Sequence, residues 1–196
     1  MISSDELEIF LAESAKIYQE DTNWLRSRGW QETAEVHKES GFEAKIWVSP
    51  SGRRCVHCSS MIGFKEYSQA IDVAQMEYLK ELGWGTIEVH HFEPQYLGLK
   101  KEELDNPPYA EEDVWSHFSH PISGKVYMFL EAITIARYCD NKEKLSDSLC
   151  KKTEEIQRQL GDKKLRDGDK LFIKFVLNKE TDTHEWVLMN IESKNT

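Results

Sequence analysis

Apolar side chains recur at helical spacing from residue 4 to residue 20, where Leu7, Phe10, Leu11, Ile17 and Tyr18, with Ser14 among them, share one side of a predicted helix. Ser4 is placed to cap it, and Asp5, Glu6 and Glu8 fill the first turn, where the helix dipole favours acids. A second short helical piece over Trp24 and Leu25 precedes Gly29. The period then changes to two. In FEAKIWVS, Phe42, Ala44, Ile46 and Val48 alternate with Glu43, Lys45 and Trp47, which predicts a half-buried strand. PSG reads as a turn and RRCVHCS as the returning strand. A strand here puts Cys55 and His57 on one face, Val56 and Cys58 on the other.

Residues 65–82 return to helical spacing through Tyr67, Ala70, Ile71, Ala74, Tyr78 and Leu82, and Gly83 is suited to close the helix. TIEVHHF predicts a further strand with Ile87 and Val89 opposed to Glu88 and His90. Residues 94–113, with Pro94, Gly98, Pro107 and Pro108, read as a boundary or an exposed loop. An apolar helix follows HPISGKV, and a helix over 144–160 aligns Leu145, Leu149, Ile156 and Leu160 before Gly161. LFIKFVLN and HEWVLMNI, joined by KETDT, predict a hairpin. The Pro-Ser-Gly-basic pattern of PSGRR recurs in HPISGK, and each copy precedes a helix, which suggests two related strand-turn-helix halves.

The chain is thus expected to be α+β, with about four helices and five or six mostly antiparallel strands. At 196 residues and 39% hydrophobic, it can bury a core without staples, as one domain or as sub-units 1–93 and 114–196 joined by 94–113. Its start, MISSDELEIF, carries acids where a secretion signal needs basic residues, and VYMFLEAITIARYC is interrupted by Glu131, Thr134 and Arg137. A cytoplasmic chain with no membrane partner is therefore expected. Four cysteines are too few for a disulfide scaffold.

Charge narrows the partners. A formal net charge of −10 disfavours phosphate backbones and anionic lipid, yet residues 45–65 form a local basic island of Lys45, Arg53, Arg54 and Lys65. Were that island to meet nucleic acid, those four residues would be the contacts and Trp47 a stacking platform. The strand-turn-strand-helix layout of 42–82, with PSGRR at the turn, is similar to small sheet-plus-helix DNA readers such as the methyl-CpG-binding domain. It departs from them in the acidity of the whole chain.

Cys55 and Cys58 have the CxxC spacing of half a zinc site. A second half would have to converge from His90, His91, His117, His120, Cys139 and Cys150. The predicted helix starts too late to lower a thiol pKa as redox CxxC motifs require. GxSxG, GxGxxG and GxxxxGK are all missing, so no nucleophile elbow or phosphate loop is marked.

The function these features favour is a non-catalytic acidic binding protein whose partner is another protein, including the case of an inhibitor whose carboxylates imitate nucleic-acid charge. Trp24, Trp30, Trp47, Tyr96 and Tyr109 are its aromatic anchor candidates. The alternative is a nucleic-acid-binding module using 45–65. A metal-dependent enzyme, with zinc on Cys55 and Cys58, is the third reading.

Overall fold

Glycine followed by tryptophan occurs at 29–30 and at 83–84, and each pair ends a helix and starts a strand. Helix α1 (Ser4–Ser27) closes where Gly29 takes φ +81°. The Trp30 N–H then bonds the Leu25 carbonyl at 3.1 Å and the Gly29 N–H bonds that of Arg26 at 3.0 Å. Helix α2 (Ala70–Glu81) ends in the same way. Gly83 takes φ +82°, Trp84 bonds Leu79 and Gly83 bonds Lys80, both at 3.0 Å. This nested pair of bonds requires a left-handed residue, which glycine adopts at least cost. Both tryptophans are buried.

These elements belong to a computed structural model that describes residues 4–58, 64–94, 108–140, 151–178 and 183–194. Four helices and two sheets are present among the described residues, and the class is α+β. Two compact units divide the chain, Met1–Tyr78 and Leu79–Thr196, with the division inside α2.

The first unit builds its sheet from β1 (Gln31–Glu39), β2 (Phe42–Val48) and β3 (Arg54–His57), an antiparallel meander in that order. Ser40 and Gly41, at φ 51° and 84°, make the two-residue turn that matches strand twist. Cys55 packs with Leu25, Trp30 and Trp47, whereas Val56 packs with Ala44 and Ile46, beside Cys58 and Phe64. Period two therefore holds through CVHC. Three helix expectations need correction. The piece at Trp24 is the last turn of one continuous α1. Among the described side chains, α1 is buried at Thr22 and Leu25, while Ile9, Phe10, Leu11 and Ile17 are 57 to 63% exposed. Helix α2 starts at Ala70 rather than 65, because Val56 donates its N–H to the Ser68 carbonyl at 3.0 Å and bridges Gln69, which holds those residues extended.

The second unit contains β4 (Gly85–Pro94), β5 (Tyr109–Ser119), β6 (Val126–Tyr127), α3 (Phe129–Tyr138), α4 (Lys151–Leu160), β7 (Lys170–Asn178) and β8 (Thr183–Glu192). The sheet order is β6-β5-β4-β7-β8, with β4 and β7 parallel and the other pairs antiparallel. Ile87, Val89, Leu171 and Ile173 form the core against Ile156 and Leu160 of α4. The predicted hairpin is β7–β8. Leu145, Leu149, Tyr96 and residues 95–107 lie outside the described residues. Residues 109–113 are strand, so β5 begins inside the stretch expected to be loop. The His90-His91 pair lies on the central strand, not on an edge.

Arg166 to Lys170 fixes β7 to β4. The Asp167 carboxylate accepts the Thr86 N–H at 2.8 Å, Gly168 donates its N–H to the Thr86 carbonyl at 2.8 Å, and Glu88 donates to the Asp169 carbonyl at 3.1 Å. Each unit's three-stranded meander follows a Gly-Trp pair, and the recurring turns SPSGRR and HPISGK both join its second and third strands. Among the described residues, no helix is long and apolar enough to cross a membrane.

Candidate functional site

The CVHC stretch works as a strand. Burial pushes the Cys55 thiol pKa up and keeps it neutral. Cys58, on the opposite face, accepts a hydrogen bond from the Gln69 amide at 3.1 Å. The two side chains belong to separate clusters, so a shared ion between them would require the strand to unwind. No group of three His, Cys, Asp or Glu that could hold a metal occurs among the described residues, and Cys150 lies outside them. His57 is buried between the cysteines, with Nε2 3.0 Å from the Thr22 hydroxyl, its ring stacked on Tyr18 at 4.5 Å and edge-on to Trp47 at 5.5 Å. Burial lowers its pKa, which favours the neutral ring.

The basic island is exposed at Lys45, Arg53, Arg54 and Lys65, yet β1 brings acids to it that a count over 45–65 omits. Arg54 forks onto Glu35 at 3.2 and 2.5 Å and holds that carboxyl below its usual range. Arg53 donates to the Ser68 hydroxyl at 3.3 Å, and the Lys65 N–H donates to the Glu39 carboxylate at 3.1 Å. Trp47 is a correction to the sequence reading: at 1% exposed it is core and offers no stacking face. Trp30 is buried for the same reason, as part of the α1–sheet cluster. Trp24 is half-buried against Tyr78, and Tyr109 is 38% exposed beneath the Lys174 ammonium, 5.6 Å from its ring.

In the second unit, polar groups gather on the sheet face away from α4. Glu88 accepts from His90 at 2.7 Å and from Lys170 at 2.6 Å, and these two partners lower its pKa. It lines an open cleft of about 720 Å³ with Lys80, Trp84, Thr86, Ser116 and Asp167. On the α4 face, Trp115 packs on His91 at 4.7 Å, and His91 meets Trp186 at 5.1 Å and His117 at 5.9 Å. His117 is buried, and burial, with His91 beside it, pushes its pKa down to about 4.

The two borders of this sheet differ. Along β8, the Gln159 amide on α4 donates to the Trp186 carbonyl at 2.5 Å and accepts the Leu188 N–H at 2.6 Å, while Glu155 accepts the Trp186 N–H at 3.2 Å. Side chains thus occupy the positions a further strand would take. Along β5, β6 pairs only with Phe118 and Ser119. The His120 N–H points to β6, bonding Lys125 at 2.8 Å, and Thr86 and Glu88 direct their backbone groups to the loop before β7. By the two-residue alternation of an antiparallel ladder, Val114 and Ser116 turn both N–H and C=O outward. Among the described residues nothing pairs with them. Asp113, Val114, Trp115 and Ser116 are all exposed, Val114 at 48% and Trp115 at 46%.

Comparison with family models, curated proteins and solved structures gives no match to this chain. Of the anchor candidates read from sequence, Tyr109 alone lies on β5; Val114 and Trp115 escaped that reading. Their signal was the apolar pair following an acidic triplet, EEDVW, in a strand-forming run.

Proposed function

We propose that this chain is a non-catalytic acidic binding protein that engages a protein partner through the β5 border of its second unit. The observation that carries the reading is the run Asp113–Ser116, in which a half-exposed valine and a half-exposed tryptophan sit beside outward-turned backbone. Aromatic side chains contribute disproportionately to protein interfaces, and an unguarded strand border is a template for pairing. The chain's net charge of −10 and the acids Glu111, Glu112 and Asp113 direct the choice toward a basic partner surface. An inhibitor whose carboxylates occupy a groove built for phosphates is the specific form of this reading.

A photo-crosslinking residue placed at Val114, compared with one at Arg53, tests it in cells of the source organism. The expected result is a protein adduct from position 114 that is lost when Trp115→Ala is added. Adducts from position 53 alone, sensitive to nuclease, would overturn this reading in favour of nucleic acid.

A further inference from the structure

Resting on that reading, we infer that the β5 border binds its partner by strand addition, and that the occupant is an extended, basic segment of another protein. Among the described residues, the β8 border is capped at Trp186 and Leu188 and the β5 border is uncapped at Val114 and Ser116. Gln159 and Glu155 fill the outward backbone positions of β8, whereas Val114 and Ser116 on β5 turn their peptide groups to an unoccupied side among the described residues. Exposed borders invite unintended pairing, so a border that is capped on β8 yet uncovered by any described residue at Val114 and Ser116, with Trp115 between them, is organised for docking there.

Charge selects the occupant. A second copy of this chain would bring its own net charge of −10 and a second EED run at 111–113 against this border. Like charges directly opposed across a ladder destabilise it. A strand carrying lysine or arginine at alternate positions can instead set a basic side chain against Asp113, the exposed acid at the start of the regular stretch. Its remaining side chains fall either beside Val114, Ser116 and the Glu88 cleft or beside Trp115 and His91, according to parity.

The test uses the full-length protein and a fluorescein-labelled seven-residue peptide alternating lysine and valine, read by anisotropy and by amide hydrogen exchange. The expected results are saturable binding that weakens with salt, a lysine-to-glutamate counterpart that binds about tenfold or more weakly, and slowed exchange at the Val114 and Ser116 amides. N-methylation of alternate peptide residues, which leaves the protein untouched, should abolish binding in one register and spare the other. Val114→Pro and Ser116→Pro remove outward donors only, a change edge strands tolerate, and should weaken binding while melting as the parent does. No binding by the lysine peptide, equal binding by both methylated registers, or no change in exchange at Val114 and Ser116 would overturn strand addition. A dimer by native mass spectrometry that Val114→Pro dissociates would overturn the foreign occupant in favour of a second copy. If strand addition fails while the position-114 adduct persists, the binding-protein reading stands alone; if that adduct is also missing, both fall.

Discussion

The Thr22 hydroxyl lies 3.0 Å from Nε2 of His57, a polar contact that joins the packed half of α1 to β3 inside the first unit beside the stacking of Tyr18 on the same ring. Both residues are buried, so removing one leaves the other's polar group without water to replace its partner. Thr22→Val keeps the shape and deletes the hydroxyl. It should destabilise the protein by about 1–3 kcal/mol, and Thr22→Ser should recover most of that loss. Urea denaturation of the two variants decides it: equal midpoints for Thr22→Val and the parent would mean the hydrogen bond contributes nothing net.

His117 gives stability a pH dependence of definite sign. Its folded pKa is held at about 4, below the 6.5 of a free imidazole, so the native state prefers the neutral ring. The contribution is complete above pH 6.5 and is lost as pH falls toward 4, amounting to about 2 kcal/mol by pH 5. His57, also lowered by burial, acts in the same direction. His117→Gln should flatten the profile between pH 7 and 5, and subtracting the two profiles removes carboxylates common to both proteins. A difference that does not change with pH would show that His117 does not remain neutral in the native state.

Much of this architecture was legible because local pattern and tertiary environment agree. Strand β2, the faces of CVHC, α3 and the β7–β8 hairpin all follow from spacing. Strand β1 did not, because QETAEVHKE is polar on both faces and most of its residues are exposed, leaving no apolar alternation to read. The late start of α2 was hidden for a different reason: Ser68 and Gln69 are held extended by Val56, a partner outside their own segment. The basic island looked uncompensated for the same cause, since Glu35 reaches Arg54 only once the sheet forms. Whether a strand border is open depends on its neighbours, so the contrast between β5 and β8 had no sequence signal beyond the apolar pair Val114-Trp115.

The two Gly-Trp pairs should respond differently to alanine. Both glycines hold positive φ, which costs an alanine about 1–2 kcal/mol. At Gly83 an added Cβ meets Pro121 at an ordinary 3.6 Å, so Gly83→Ala should lose about that much. At Gly29 it meets the Pro50 ring at 3.3 Å, closer than comfortable packing, so Gly29→Ala should lose more. Thermal melts of the two variants rank them, and a smaller loss at Gly29 would show that the Pro50 turn yields to the new methyl.

Arg54 and Arg53 are the residues a nucleic-acid reading would need, and the fork from Arg54 to Glu35 sets what their reversal should do. The pair is exposed and solvent screens it, so losing it should cost little stability. Arg53→Glu with Arg54→Glu should therefore leave the fold intact, and it should leave the photo-adduct from position 114 unchanged. Anisotropy with labelled duplex DNA near physiological salt should give the same flat titration for parent and variant. Parent binding with a steep salt dependence that the double reversal abolishes would return function to the island and away from β5.

Gln159 predicts what happens when the guarded border is opened. Its side-chain amide presents one donor and one acceptor to Trp186 and Leu188, the same groups a neighbouring peptide unit would offer. Gln159→Leu keeps a helix-favouring side chain of similar bulk but supplies neither, leaving the Trp186 carbonyl and Leu188 N–H turned outward. Those groups can then pair with any available strand, including β8 of another copy. Light scattering of Gln159→Leu should show concentration-dependent self-association that the parent lacks. Glu155→Gln should show less, because a neutral amide oxygen still accepts the Trp186 N–H. A monodisperse Gln159→Leu protein would mean that capping is not what keeps β8 unpaired, and the contrast used to single out β5 would then lose its physical basis.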